Sequence, residues 1–85
     1  MISEKEVGNI FKYFDKICVA AIEVTSDCLM VEDTIHIKGQ NTDFEQEIES
    51  MQIDGKEVDE VPAGKSVGVY VKNKVRPGDK VYKAL

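Results

Sequence analysis

Short runs of β-branched residues, alternating with polar ones and divided by turn dipeptides, limit this chain's possible folds more than any other feature. Val67, Val69 and Val71 alternate with Gly68, Tyr70 and Lys72. Within Thr34-Ile35-His36-Ile37-Lys38, Ile35 and Ile37 take one side and His36 the other. Cys18, Ala20, Ile22 and Val24 repeat the pattern. A period of two marks a half-buried strand, and stiff β-branched side chains suit it.

Turn chemistry separates the runs. Glu32-Asp33, Gly39-Gln40-Asn41, Asp54-Gly55, Pro62-Ala63-Gly64 and Pro77-Gly78-Asp79 all mark reversals. Asp54-Gly55 is the sharpest, since both residues tolerate the positive φ of a tight hairpin. The stretch from Asp43 to Asp54 reads two ways. Phe44, Ile48 and Met51 fall at helical spacing, whereas a β-bulge near Glu49-Ser50 keeps the same residues on one strand. The strand fits its neighbours better, because no C-cap precedes Asp54-Gly55. Six strands are expected, at 5–14, 17–25, 34–38, 43–53, 66–72 and 80–84. Closing them into an all-β, six-stranded Greek-key barrel would bury the apolar face and remove the sheet edges. The expected core is Ile10, Ile22, Val24, Ile35, Ile37, Ile48, Met51, Ile53, Val67, Val69 and Val81, with Leu85 a weaker member. At 85 residues this is a single domain, residues 1–85, with no room for a nucleotide-binding unit beside it.

Charge divides the chain. Residues 1–60 hold 15 acids and five bases, and residues 61–85 hold one acid and six bases. With a net charge of −5, a duplex-DNA binder is not expected, although the basic tail permits a local anion site. The apolar run between Lys16 and Glu23 is far short of the ~20 residues that span a bilayer. The start, Met1-Ile2-Ser3-Glu4-Lys5-Glu6, lacks the pattern of a secretory leader. A cytoplasmic protein without membrane contact is expected, so Cys18 and Cys28 should be reduced, Cys18 as a small buried apolar group.

Nothing in the residue pattern announces catalysis. A metal cluster of Cys18, Cys28 and His36 is disfavoured by spacing, and no metal or cofactor is expected. The eight carboxylates of residues 43–60 read as cross-strand partners of lysines. Two surfaces stand out instead. Lys72, Lys74, Arg76, Lys80 and Lys83, with Tyr70 and Tyr82, fall on the last two strands and their connection. Converging ammonium groups could hold RNA phosphates, and tyrosines could stack bases. Phe11, Tyr13 and Phe14 cannot all enter one small core, because neighbours on a strand alternate sides; one side must be covered by a loop, exposed, or used in a protein interface, for which all three are candidates.

Several segments carry a family likeness. Val19-Ala20-Ala21-Ile22-Glu23-Val24, the run from Leu29 to Gly39, Glu49-Ser50-Met51-Gln52-Ile53, Ala63-Gly64-Lys65-Ser66-Val67-Gly68-Val69 and Val75-Arg76-Pro77-Gly78-Asp79-Lys80-Val81 occur in order. Together they resemble the second-domain barrel of translational GTPases of the elongation factor Tu class. Accessory barrels of collagenase-like peptidases are similar. Glu32-Asp33 departs from the usual Gly-Asp of that barrel. The resemblance implies a non-enzymatic binding module that contacts RNA or a translation-related protein. A stand-alone protein-interaction domain without a nucleic-acid role is the alternative.

Overall fold

A computed structural model describes residues 4–84 as β-structure joined by turns. Expectations for Met1-Ile2-Ser3 and Leu85 lie outside the described residues. The strands are β1 (Glu4–Phe14), β2 (Val19–Val24), β3 (Cys28–Met30), β4 (Thr34–Lys38) and β5 (Asp43–Glu47). They continue as β6 (Met51–Ile53), β7 (Lys56–Val58), β8 (Glu60–Pro62), β9 (Ser66–Tyr70) and β10 (Lys80–Ala84). Eight form an antiparallel sheet in the order β5-β4-β10-β1-β2-β9-β6-β7, and β3 pairs with β8 apart from it.

The alternating aliphatics meet across the strands. Ile10, Ile22 and Val67 align on β1, β2 and β9, and Ala20, Val69 and Met51 align on β2, β9 and β6. All six are buried, with Ile35, Ile37, Ile48 and Val81 beside them. Leu29 and Val61 face one another on the small sheet and are buried too, so β3 and β8 belong to the same core. Strand β1 is long enough to serve two neighbours because it bulges twice. Val7 is extra relative to β10, and Phe11 is extra relative to β2. Such insertions bend a strand and increase its twist, letting one strand run across a curved sheet.

The expected six-stranded closed barrel is not what forms: among the described residues ten strands lie in two sheets, with no closed ladder. The reason lies at Ile48. Its N–H donates to the Asp33 carbonyl and its own carbonyl accepts from the Glu32 N–H, both at 2.9 Å. That exchange ends β5 and splits the expected bulged strand 43–53. The second half then pairs with β9 and, through Asp54-Gly55, with β7. Both turn residues have positive φ, 52° and 79°, as a tight two-residue hairpin needs. The ladder therefore ends at β5 on one side and β7 on the other. Gln46 bridges part of the gap with its side chain. Its Nε2 donates to the Tyr70 carbonyl and its Oε1 accepts from the Lys72 N–H, each at 2.8 Å.

The last connection also differs from the hairpin expected at Pro77-Gly78. Strand β10 pairs with β1 and β4, not with β9. The turn is local, with Asp79 N–H donating to the Arg76 carbonyl at 3.1 Å and Arg76 N–H to Asp79 Oδ2 at 3.0 Å. Backbone bonds of Gly78 and Asp79 with Ile10 then steer the chain onto β1. No helix among the described residues is long and apolar enough to cross a membrane.

Candidate functional site

The bulge at Phe11 decides what the outer face of β1 presents. Before it, Ile10 pairs with Ile22 and points inward; after it, Lys12 pairs with Ala21 and Phe14 with Val19. Strict alternation past Ile10 would send Lys12 and Phe14 into the core. The extra residue resets the phase, so Phe11, Lys12 and Phe14 all lie outside. Tyr13 faces inward opposite Ala20 and packs against the core. Burial, reinforced by the Cys18 thiol beside it, pushes the Tyr13 phenol above its ordinary pKa. The three aromatics expected at one interface are thus divided, two outside and one inside.

The outward pair borders a groove of about 470 Å³. Ala21 and Gly68, opposite one another on β2 and β9, form a floor of small residues. A Cβ on Gly68 would stand 3.1 Å from Val19 Cγ1, so a larger residue there would crowd the groove. Phe11, Phe14, Ile17 and Ile53 supply the apolar walls. Phe11 is 49% exposed, Phe14 41% and Ile17 63%, so three large apolar side chains stand uncovered along one groove. Lys12 Nζ lies 5.0 Å from the Phe14 ring centroid, a cation–π contact that places one positive charge at the rim. Ile17 and the groove floor went unrecognised in the sequence, because the signal was the residue count that creates the bulge.

The basic set does not gather into one surface. Lys83 is on the inner side of β10, where Nζ pairs with Asp33 Oδ2 at 3.1 Å and donates to the Cys28 carbonyl at 3.1 Å. Lys80 pairs with Glu6 at 3.4 Å, and Lys72 lies 3.9 Å from Glu49. Lys74 and Arg76 are exposed on the connection between β9 and β10. Tyr70 lies outward beside Val19, continuing the Phe14 row, while Tyr82 lies beside His36 on a different part of the sheet. The cause is topological: β9 and β10 are three positions apart in the sheet order.

Cys18 falls in the turn before β2 with φ of 57°, and both cysteines are half-buried free thiols. They do not join His36. Among the described residues, Glu4, His36 and Glu45 are the set whose ligand atoms approach within 4.8 Å of one another. His36 Nε2 lies 2.5 Å from Asp43 Oδ1, and Nδ1 lies 2.9 Å from Glu4 Oε2. The Asp43 hydrogen bond, with Glu4 adding to it against the pull of burial, raises the imidazole pKa. The same bond lowers that of Asp43.

Known proteins resemble the chain throughout. It is 41% identical over 78 residues to an uncharacterized protease of Methanocaldococcus jannaschii and 36% identical over 78 residues to a collagenase of Porphyromonas gingivalis. Each match takes in 91% of this chain but only 19% and 22% of the relative, so the chain spans about a fifth of their length. In Geobacillus thermoleovorans, the C-terminal domain of a protein described as a U32 peptidase superposes with a TM-score of 0.85 at 22% identity. That match covers 93% of this chain and 91% of that domain. A selenomethionine form of it gives 0.84 at 21% identity, covering 91% and 96%. No protein-family model matches the chain. These findings overturn two expectations. The likeness lies with collagenase-like and U32 peptidases rather than with a translation-factor domain. With proteases as its relatives, the reading as a non-enzymatic translation-related binding module does not stand.

Proposed function

We propose that this chain works in peptide-bond hydrolysis, as the β-domain of a collagenase-like peptidase, and holds the polypeptide substrate along the Phe11–Phe14 groove. The observation that carries this reading is the 36–41% identity to a protease and a collagenase across nearly the whole chain. The groove supports it physically. A floor of Ala21 and Gly68 lets an extended backbone approach, and flanking aromatics suit the apolar rings of a proline-rich strand. Collagen, the substrate named for one relative, is built of such extended polyproline-like chains. A cytoplasmic setting belongs to the same proposal, supported by two thiols that remain unpaired.

The test is a chimera in which this chain replaces the matching fifth of the collagenase relative. Gelatin hydrolysis should persist in the chimera and fall at least ~10-fold when Phe11→Ser and Phe14→Ser are combined, a loss of about 1.4 kcal/mol or more. Both side chains are exposed, so the fold should survive, which circular dichroism checks. Undiminished hydrolysis by the double variant would refute the groove assignment. An inactive parent chimera would count against the peptidase reading itself.

A further inference from the structure

On the part of the sheet away from the groove, Tyr82, His36 and Glu45 lie in one cross-strand row on β10, β4 and β5. Glu4 reaches this row from β1, across β10, to place both carboxylate oxygens 2.9–3.0 Å from His36 Nδ1. The other ring nitrogen faces Asp43 at 2.5 Å. Both ring nitrogens therefore face a carboxylate, and a neutral imidazole, with one N–H, turns a lone pair toward one of them. With the N–H on Nε2, toward the shorter Asp43 contact, the Nδ1 lone pair is turned toward Glu4, and Glu45 is close by. Electron-rich atoms crowd together here, and a positive group must sit between them: a proton, or a metal ion.

The donors suit a metal ion. Bonds of about 2.1 Å place neighbouring octahedral donors about 3 Å apart, close to the separation of Glu4 and Nδ1. One imidazole and two carboxylates form a mixed nitrogen–oxygen set for ions such as Mn²⁺ or Zn²⁺, and the two carboxylate charges balance the dication. The Tyr82 ring, with its centroid 6.3 Å from that of His36, walls one side. A hydrogen-bonded carboxylate behind a ligating histidine is the usual outer partner of such sites.

We propose that Glu4, His36 and Glu45 form a binding site for a divalent transition-metal ion, His36 ligating through Nδ1 while Asp43 holds its Nε2–H. Binding forms bonds from Nδ1 and the two carboxylates to the ion and releases to solvent any proton that Nδ1 carried. The site stands apart from the groove and does not depend on the peptidase reading.

Mn²⁺ tests it, because it favours imidazole and carboxylate over the thiols of Cys18 and Cys28. Titration of the intact chain with Mn²⁺, followed by paramagnetic broadening of its amide NMR signals, should show one site centred on residues 4, 36 and 45. His36→Gln and Glu45→Gln should each weaken binding at least ~10-fold, and Asp43→Asn by about 10- to 100-fold. Glu45 is exposed, so its variant keeps the fold in reach of the measurement. Broadening centred on the carboxylates of residues 54–60 would overturn the site. So would unchanged affinity in Glu45→Gln, or no broadening at millimolar Mn²⁺.

Discussion

Lys83 Nζ and Asp33 Oδ2 lie 3.1 Å apart, tying the last strand of the large sheet to the turn that follows β3. The ammonium also donates to the Cys28 carbonyl, and the same carboxylate oxygen accepts the Met30 N–H at 2.9 Å. Both side chains are about four-fifths covered, 19% and 23% exposed, so the pair is less screened than a surface one. Lys83→Met keeps the aliphatic stem and leaves Asp33 without its counter-charge. Urea denaturation should show a loss of about 1–3 kcal/mol.

The same pair gives an alkaline signature. Burial alone would pull the Lys83 pKa down, but the Asp33 hydrogen bond and nearby charges more than offset it and raise the value. A lysine raised on folding contributes stability that is complete below its unfolded value of about 10.4 and lost as pH rises through its folded value. Thermal melts carried above about pH 10.4 should show this loss in the parent chain. In Lys83→Met that part of the pH dependence should be missing.

Gly39 and Asp79 occupy adjoining space, and a Cβ on residue 39 would fall inside the Asp79 carboxylate. Asp79 is held in place by its bond from the Arg76 N–H, so it cannot simply swing away. Gly39→Ala should cost about 1–3 kcal/mol through this overlap. Adding Asp79→Ala should cost less in the Gly39→Ala background than in the parent, a coupling that a double-mutant cycle measures directly.

Glu32 adopts φ of 79°, a left-handed conformation that burdens a residue bearing Cβ. Glu32→Gly removes that burden while adding some freedom to the unfolded chain. A net gain of about 0.5–1 kcal/mol is expected, read as a higher urea midpoint.

Gln46 spans from β5 to the backbone of Tyr70 and Lys72. Gln46→Leu matches its size but leaves that carbonyl and N–H without their partner. The cost should be about 1–3 kcal/mol. Amide exchange at Lys72 should rise in the variant beyond the change expected from global stability alone.

Much of the core was legible from alternation. Ten of the eleven side chains assigned inward are buried, and Ile53 is half-buried at the edge of the groove. Alternation reports which side of a strand a residue takes, but not which strand lies beside it. Hence the apolar set came out while the closed barrel did not: Ile48's bonds with the Glu32-Asp33 turn are long-range and leave no local mark. The basic residues are spread out for the same reason, since the pairing expected across Pro77-Gly78 required β9 and β10 to be neighbours. At the groove, Phe11 and Phe14 were visible as a surplus of aromatics, but Ile17, Ala21 and Gly68 depend on the register across three strands. The histidine's outward placement was readable, whereas its carboxylate neighbours Glu4 and Asp43 come from strands on either side of it.

The rungs between β1 and β2 have no use for the Phe11 side chain. Its neighbours Ile10 and Lys12 meet consecutive residues of β2, so excising it would leave every rung of that ladder intact. The inserted backbone bends the strand, which any side chain at that position would allow, so an aromatic one turned toward water owes nothing to the ladder. About half of that residue is left open to contact from outside the fold.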